Sequence, residues 1–223
     1  MASLRTKSIV LRRTNYGEAD RIIQVITPEG KKSLMVKGAR REKSKLAGGI
    51  ELLALSDITI HEGKHELGVL TSARLVKFHD KILQDYDALK FAYEALKVIA
   101  RSSEQVDSPE FFEVLNGTLE ALGSEAELDL VQAWFYMRHA KTMGDELNLE
   151  TDVDGQKLSA EFSYFYSVDD QAFVASEHGD VSADHIKLLR VMRNNDFKVL
   201  RKVTGTDDLL PVCLRLAKVG ARL

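Results

Sequence analysis

Through the first eighty or so residues, apolar and polar side chains alternate in short runs, the period of two that turns one face of a strand toward a core. Ser8-Ile9-Val10-Leu11-Arg12-Arg13 and Arg21-Ile22-Ile23-Gln24-Val25-Ile26-Thr27 are rich in β-branched residues, and Thr27-Pro28-Glu29-Gly30 sets Pro and Gly where a turn needs them. Residues 31–37 predict the returning strand of this hairpin. Residues 38–49 are polar, charged and punctuated by glycine, the pattern of an exposed loop. Ser56-Asp57-Ile58-Thr59-Ile60-His61 alternates cleanly, Glu62-Gly63-Lys64 turns, and Glu66-Leu67-Gly68-Val69-Leu70-Thr71 returns, with further alternation at Leu75-Val76-Lys77-Phe78. Five strands in about eighty residues suit a small barrel.

Beyond Asp80 the apolar period lengthens to that of a helix. Residues 83–99 predict one helix, and Ser108-Pro109 opens a second with a capping hydroxyl and a proline that needs no amide partner. Ser124-Glu125-Ala126-Glu127 has capping-box spacing ahead of residues 128–143, where Leu130, Val131, Trp134, Phe135 and Met137 surround the helix and mark it as the centre of a bundle. Ser182 starts a helix through residue 193, and residues 207–219 form the last, with Pro211 near its beginning. Residues 150–180 are irregular. Asp152-Val153-Asp154-Gly155 and Asp169-Asp170 read as turns there, and Phe162-Ser163-Tyr164-Phe165-Tyr166-Ser167 as a short strand. The expectation is an α+β chain: a small β-barrel domain over residues 1–80, then an all-α helical bundle over residues 81–223 with an insert at about 150–180.

Composition excludes several classes. In 223 residues, 44% hydrophobic and 29% charged side chains describe a globular chain. No apolar stretch approaches the ~20 residues of a membrane span, and Met-Ala-Ser-Leu-Arg-Thr-Lys has no apolar core of signal-peptide length, so a cytoplasmic setting is expected. Cys213 is the sole cysteine, which removes an internal disulfide and any zinc site of two thiolates. The net charge of −3 conceals an asymmetry, because residues 1–80 carry 15 Lys and Arg against 9 Asp and Glu, and residues 81–223 carry 16 against 25. The front of the chain therefore suits a polyanion.

Three constellations bear on chemistry. His61-Glu62-Gly63-Lys64-His65 spells the H-E-x-x-H string of zinc hydrolases, a helical motif that here joins two β runs and so reads as a hairpin tip. Gly48-Gly49 lacks the Lys-Ser of a phosphate loop and is read as flexible. Lys37, Arg40, Arg41, Lys43 and Lys45 crowd one loop, with Lys31 and Lys32 on the strand before it and Arg12, Arg13 and Arg21 on neighbouring strands. With Tyr16 available to stack on a base, these residues make the candidate nucleic-acid surface. The remaining alternatives are a zinc hydrolase using His61, Glu62 and His65, and an RNA-binding OB module.

The runs Tyr16-Gly17-Glu18-Ala19-Asp20-Arg21-Ile22, Thr27-Pro28-Glu29-Gly30-Lys31 and Val36-Lys37-Gly38-Ala39-Arg40-Arg41, followed by Lys43-Ser44-Lys45, resemble the RecO recombination mediators in order and spacing. Phe135-Tyr136-Met137-Arg138 and Gly144 before the irregular insert are similar to that family's layout. The resemblance implies that the barrel of residues 1–80 is an OB-fold, and that the protein is non-enzymatic and without cofactor. It would bind single- and double-stranded DNA, anneal complementary strands, and work with RecR to load RecA onto DNA coated by single-strand-binding protein. It also implies a contact between the helical domain and the acidic C-terminal tail of single-strand-binding protein, for which Trp134, Phe135, Arg138 and Lys141 are the candidates. Many members hold a four-cysteine zinc knuckle in the insert. This chain has Thr151, Asp152, Asp154 and His178 in that stretch and no cysteine, so no metal is carried over.

Overall fold

A 14-residue strand, β1 (Ser3–Tyr16), organises the N-terminal half because it serves two neighbours in turn. Its first part pairs with β4 (Ala54–His61), from Ser3 opposite His61 to Ile9 opposite Leu55. Its second part pairs with β2 (Asp20–Thr27), up to Tyr16 opposite Asp20. The register slips between Val10 and Arg12, a bulge that bends the strand from one partner to the other and lets the consecutive Ile9, Val10 and Leu11 all be buried. Strand β3 (Gly30–Val36) returns along β2, and β5 (Leu67–Phe78) runs antiparallel to β4. The ring closes where β3 meets β5 in parallel over only Ser33, Leu34 and Met35, so it is a ring of strands rather than an evenly closed barrel.

This computed structural model describes residues 3–61, 67–124 and 126–222. The ring's interior holds Val10, Ile23, Val25, Leu34, Val36, Ile50, Ile58, Ile60 and Leu70, alternate positions of all five strands plus Ile50 of the 3-10 turn Ala47–Ile50. Two helices share a compact unit with it. Helix α1 (Tyr86–Ser102) buries Phe91, Ala92, Ala95, Leu96 and Ile99, and α2 (Glu110–Leu122) buries Phe111, Phe112, Val114, Leu115 and Leu119. The expected start of the first helix at residue 83 is replaced by a 3-10 turn, Asp80–Gln84. Asp85 then accepts from the amides of Asp87 and Ala88 at 2.9 and 3.0 Å, so an acidic cap fixes where the α-helix begins.

The second compact unit, residues 125–223, is built around α3 (Leu128–Met143), whose Leu130, Val131, Trp134, Phe135, Tyr136, Met137 and Ala140 are all buried. A helix apolar on every side must be enclosed, and α4 (Ala183–Asn194) and α6 (Leu210–Gly220) enclose it. A short helix, α5 (Phe197–Leu200), contributes Phe197 edge-on to Trp134 at 5.6 Å. The capping box expected at Ser124 does not form. Ser124 Oγ donates to Ala121 O at 2.8 Å, satisfying the carbonyls that α2 leaves open, and Glu127 occupies the N-cap of α3 without a side-chain bond. At Ser182 the expected cap is present: its N–H donates to His185 Nδ1 at 3.0 Å.

The insert orders itself around rings. Strands β6 (Tyr164–Ser167) and β7 (Ala172–Ala175) form a hairpin in which Phe173 meets Tyr164 and Tyr166 edge-to-face at 6.4 and 5.2 Å. Tyr164 is buried and its hydroxyl accepts from the amide of Ser159 at 2.8 Å, while Asp152 Oδ1 accepts from the amides of Asp154 and Gln156. Buried aromatic area and an Asp-held turn order this stretch.

Candidate functional site

The loop after β3 is held by contacts that leave its cations out. Gly38 has φ of +65°, a left-handed conformation that glycine adopts without cost, and its amide donates to Asp20 Oδ1 at 2.7 Å. The next residue, Ala39, is 4% exposed and completes the ring's apolar interior. Arg40 N donates to Ala19 O at 2.8 Å and its guanidinium to Gly17 O at 3.2 Å, so the loop is bonded to the turn of the β1–β2 hairpin. Gly17 is itself left-handed, at φ of +54°. The Tyr-Gly-Glu-x-Asp and Lys-Gly-Ala-Arg-Arg runs, some twenty residues apart, thus form one object: Asp20 caps, Ala39 anchors, and Lys37, Arg40, Arg41, Lys43 and Lys45 remain exposed. Tyr16, 54% exposed, lies on the same strand face as Arg12, since both have the same parity along β1.

Asp20→Ala separates geometry from charge. Removing a carboxylate beside five cations favours polyanion binding on Coulomb grounds alone, whereas freeing the Gly38 amide loosens the loop at a cost of about 1–2 kcal/mol. The expected result is weaker binding of a single-stranded oligonucleotide together with a lower melting temperature. Tighter binding would show that the cap does not preorganise the surface.

The other expected residues are divided by the structure. Arg13 sits opposite the buried Ile23 and its guanidinium meets Glu51 at 2.7 Å. Arg21 is half-buried and donates to Asn15 Oδ1 at 3.3 Å. Lys31 and Lys32, adjacent in sequence, point to opposite faces of β3. Lys31 Nζ donates to Ala100 O at 3.1 Å and to Glu104 at 2.9 Å, fastening the C-terminal end of α1, and this bond lowers the Glu104 carboxyl below its usual range. That is the favourable end of a helix for a cation.

A second cationic face escaped the sequence reading. Lys7 lies opposite Asp57 and Asp57 opposite Arg74, with Arg5 one pleat further along β1. Arg74 bonds Asp57 at 2.7 Å, and this bond, then the charges of Arg74, Arg5 and Lys7, hold the Asp57 carboxyl below its usual range. Arg5 and Lys7 share one strand and Arg74 stands on another some seventy residues on, and only the register gathers the three.

In the second unit Trp134 and Phe135 are 3% and 0% exposed. Trp134 Nε1 donates to Asn195 O at 2.9 Å, and Phe135 packs on Tyr136 and His139, so both rings belong to the interior and offer a peptide no surface. Arg138 is half-buried; Lys141 is exposed and donates to Asn194 Oδ1 at 3.2 Å. Of the H-E-x-x-H string only His61 is described, at the end of β4; Glu62 and His65 lie outside the described residues. Among the described residues no group of three or more His, Cys, Asp or Glu side chains could hold a metal ion, and no helix is long and apolar enough to cross a membrane.

Two family models span this arrangement, "Recombination protein O N terminal" over residues 1–79 and "Recombination protein O C terminal" over residues 83–217. The chain belongs to the RecO family. Their junction falls at the end of the strand ring, whereas the compact units divide after Ser124, with α1 and α2 on the ring's side. A RecO from Dehalococcoides mccartyi (strain CBDB1), named a DNA repair protein, is 27% identical over 215 residues, 92% of this chain and 84% of that one. The RecO of Roseiflexus sp. (strain RS-1) is 35% identical over 127 residues, 56% of this chain and 44% of the relative's own length. Acetivibrio thermocellus RecO is 37% identical over 100 residues, 44% of this chain and 39% of its own.

Proposed function

We propose that this chain is a DNA-binding repair protein that anneals complementary single strands and, with RecR, helps load RecA onto DNA coated by single-strand-binding protein. The observation that carries this reading is the loop of residues 37–45, fixed by Asp20, Ala39 and the Gly17 carbonyl and presenting five cations to solvent. Annealing brings two polyanions together, so the protein must neutralise phosphates without engaging the base edges that have yet to pair. Lysine and arginine on a preorganised loop do the first by releasing counterions, and a contact limited to phosphates with one stacking ring at Tyr16 does the second. No covalent bond is made or broken, so the reading needs neither nucleophile nor metal. Membership of the RecO family, whose relatives are named DNA repair proteins, supports it. For the single-strand-binding-protein tail contact this reading keeps the cations Arg138 and Lys141 and drops the neighbouring rings, which are interior.

The test is strand annealing of complementary oligonucleotides, naked and coated with single-strand-binding protein. The expected result is acceleration of both, falling steeply as salt rises. A protein that binds single strands yet leaves annealing at its spontaneous rate would overturn the proposal.

A further inference from the structure

One side of α1 is furnished unlike an ordinary solvated helix face. Tyr86, Lys90, Tyr93, Lys97 and Arg101 follow at steps of four, three, four and four residues, which confines them to about 80° of the helix circumference at 3.6 residues per turn. All five are exposed, Tyr86 by 78% and Tyr93 by 39%, while Phe91, Ala95, Leu96 and Ile99 take the buried side. The stripe interleaves two rings with three cations, has the exposed Glu94 at its edge, and runs about 22 Å at 1.5 Å per residue. Both ends of the helix are fixed, by the Asp85 cap and by Lys31 on the Ala100 carbonyl and Glu104. The rings therefore stand on a rigid platform in the same compact unit as the cationic loop.

We propose that this face of α1 is a second nucleic-acid track, on which Tyr86 and Tyr93 stack unpaired bases while Lys90, Lys97 and Arg101 neutralise the phosphates between them. A helix that docks in a protein groove presents an apolar face, whereas this stripe carries three cations. Rings interleaved with cations fit a single strand, whose every base has a face to stack and whose every linkage carries a charge. The proposal rests on the reading of the 37–45 loop as a DNA contact and extends the path of the strand beyond it.

The test measures full-chain protein against labelled oligothymidylate and against a duplex of equal length. Tyr86→Ala with Tyr93→Ala is expected to weaken single-strand binding at least ten-fold while sparing the duplex, and Tyr86→Phe with Tyr93→Phe to restore it. Lys90→Gln, Lys97→Gln and Arg101→Gln together should flatten the single-strand salt dependence by about 2 in slope. Unchanged single-strand affinity in both sets, alongside a defect in a loop variant at Lys37, Arg40 and Arg41, overturns the stripe and leaves the loop standing. Were the loop variant unaffected as well, the underlying DNA reading would fail with it. Intact DNA affinity with lost binding to purified RecR would make the stripe a protein surface and overturn the proposal.

Discussion

Glutamate at Lys37, Arg40 and Arg41 together is expected to lower affinity for any DNA sequence by at least the order of a hundred-fold at about 0.1 M salt, and to remove about 2 from the single-strand salt slope. The magnitude follows from counterion release, about 0.7 of a condensed ion per phosphate contact on a single strand, with like-charge repulsion added by the reversal. The uniformity across sequences follows from what the loop offers: side chains that reach phosphates, and no paired donors and acceptors aimed at base edges. The fold should tolerate the change. The loop is kept in place by the Gly38 amide on Asp20, the Arg40 amide on Ala19 and the buried Ala39 methyl, none of which is a side chain being replaced. Only the Arg40 bond to the Gly17 carbonyl is lost, and it is exposed. The melting temperature should therefore hardly move. Equal affinity of wild type and variant by titration at several salt concentrations would exclude the loop from the interface.

Acid is expected to destabilise both compact units through buried histidines, His79 in the first and His139, with the less deeply buried His185, in the second. His79, at 2% exposure, follows β5 and faces Gly123, and burial, reinforced by the charge of Lys77 and opposed by Glu120 and Asp80, pulls its pKa down to about 4. His139 on α3, at 3% exposure, is lowered to about 4 by burial, with Asp145 opposing. A depressed folded-state value means that the unfolded chain takes up the proton first. Stability is complete above pH ~6.5 and falls as the pH drops from there toward 4, by up to about 3 kcal/mol for each histidine. Denaturant unfolding at pH 7 and at pH 4.5 should show this fall, and His79→Leu and His139→Leu should each remove part of the slope. A slope unaltered in both would mean that acid acts elsewhere.

The strands were legible because each buries one face, and a period of two survives even where loops intervene; all five overlap the alternating runs, with β1 longer at both ends than its run and β5 joining two of them. Helix beginnings were harder, because caps depend on which neighbour needs a partner. Ser124 has the spacing to open α3, yet the carbonyls ending α2 lie closer to its hydroxyl, and Asp85 starts α1 at a point that hydrophobic periodicity alone runs past. Among the candidate residues, the compact loop at 37–45 could be seen as a run of charge. Its attachment to Asp20 could not, since that bond joins elements eighteen residues apart. Lys31 and Lys32 look equivalent in a string and are opposite in a strand. Arg74 looks unrelated to Arg5 and Lys7 in a string and is joined to them across two ladders through Asp57. Trp134 and Phe135 show the limit of reading a ring beside a cation as a binding site: a helix enclosed by α4 and α6 turns its aromatics inward and leaves only the longer charged side chains to reach water.

The narrow parallel junction between β3 and β5 gives the N-terminal ring an unequal girth of cohesion. Three residue pairs close it, against seven or eight along each of the other four ladders. Such a cylinder is a curled sheet fastened by a short clasp, and the clasp is its cheapest place to part. Parting there would admit solvent beside Leu34 and Gly68 while the β1–β2 hairpin, with the loop bonded to its turn, stayed whole. A rare breathing motion of the ring would then cost the cationic surface nothing.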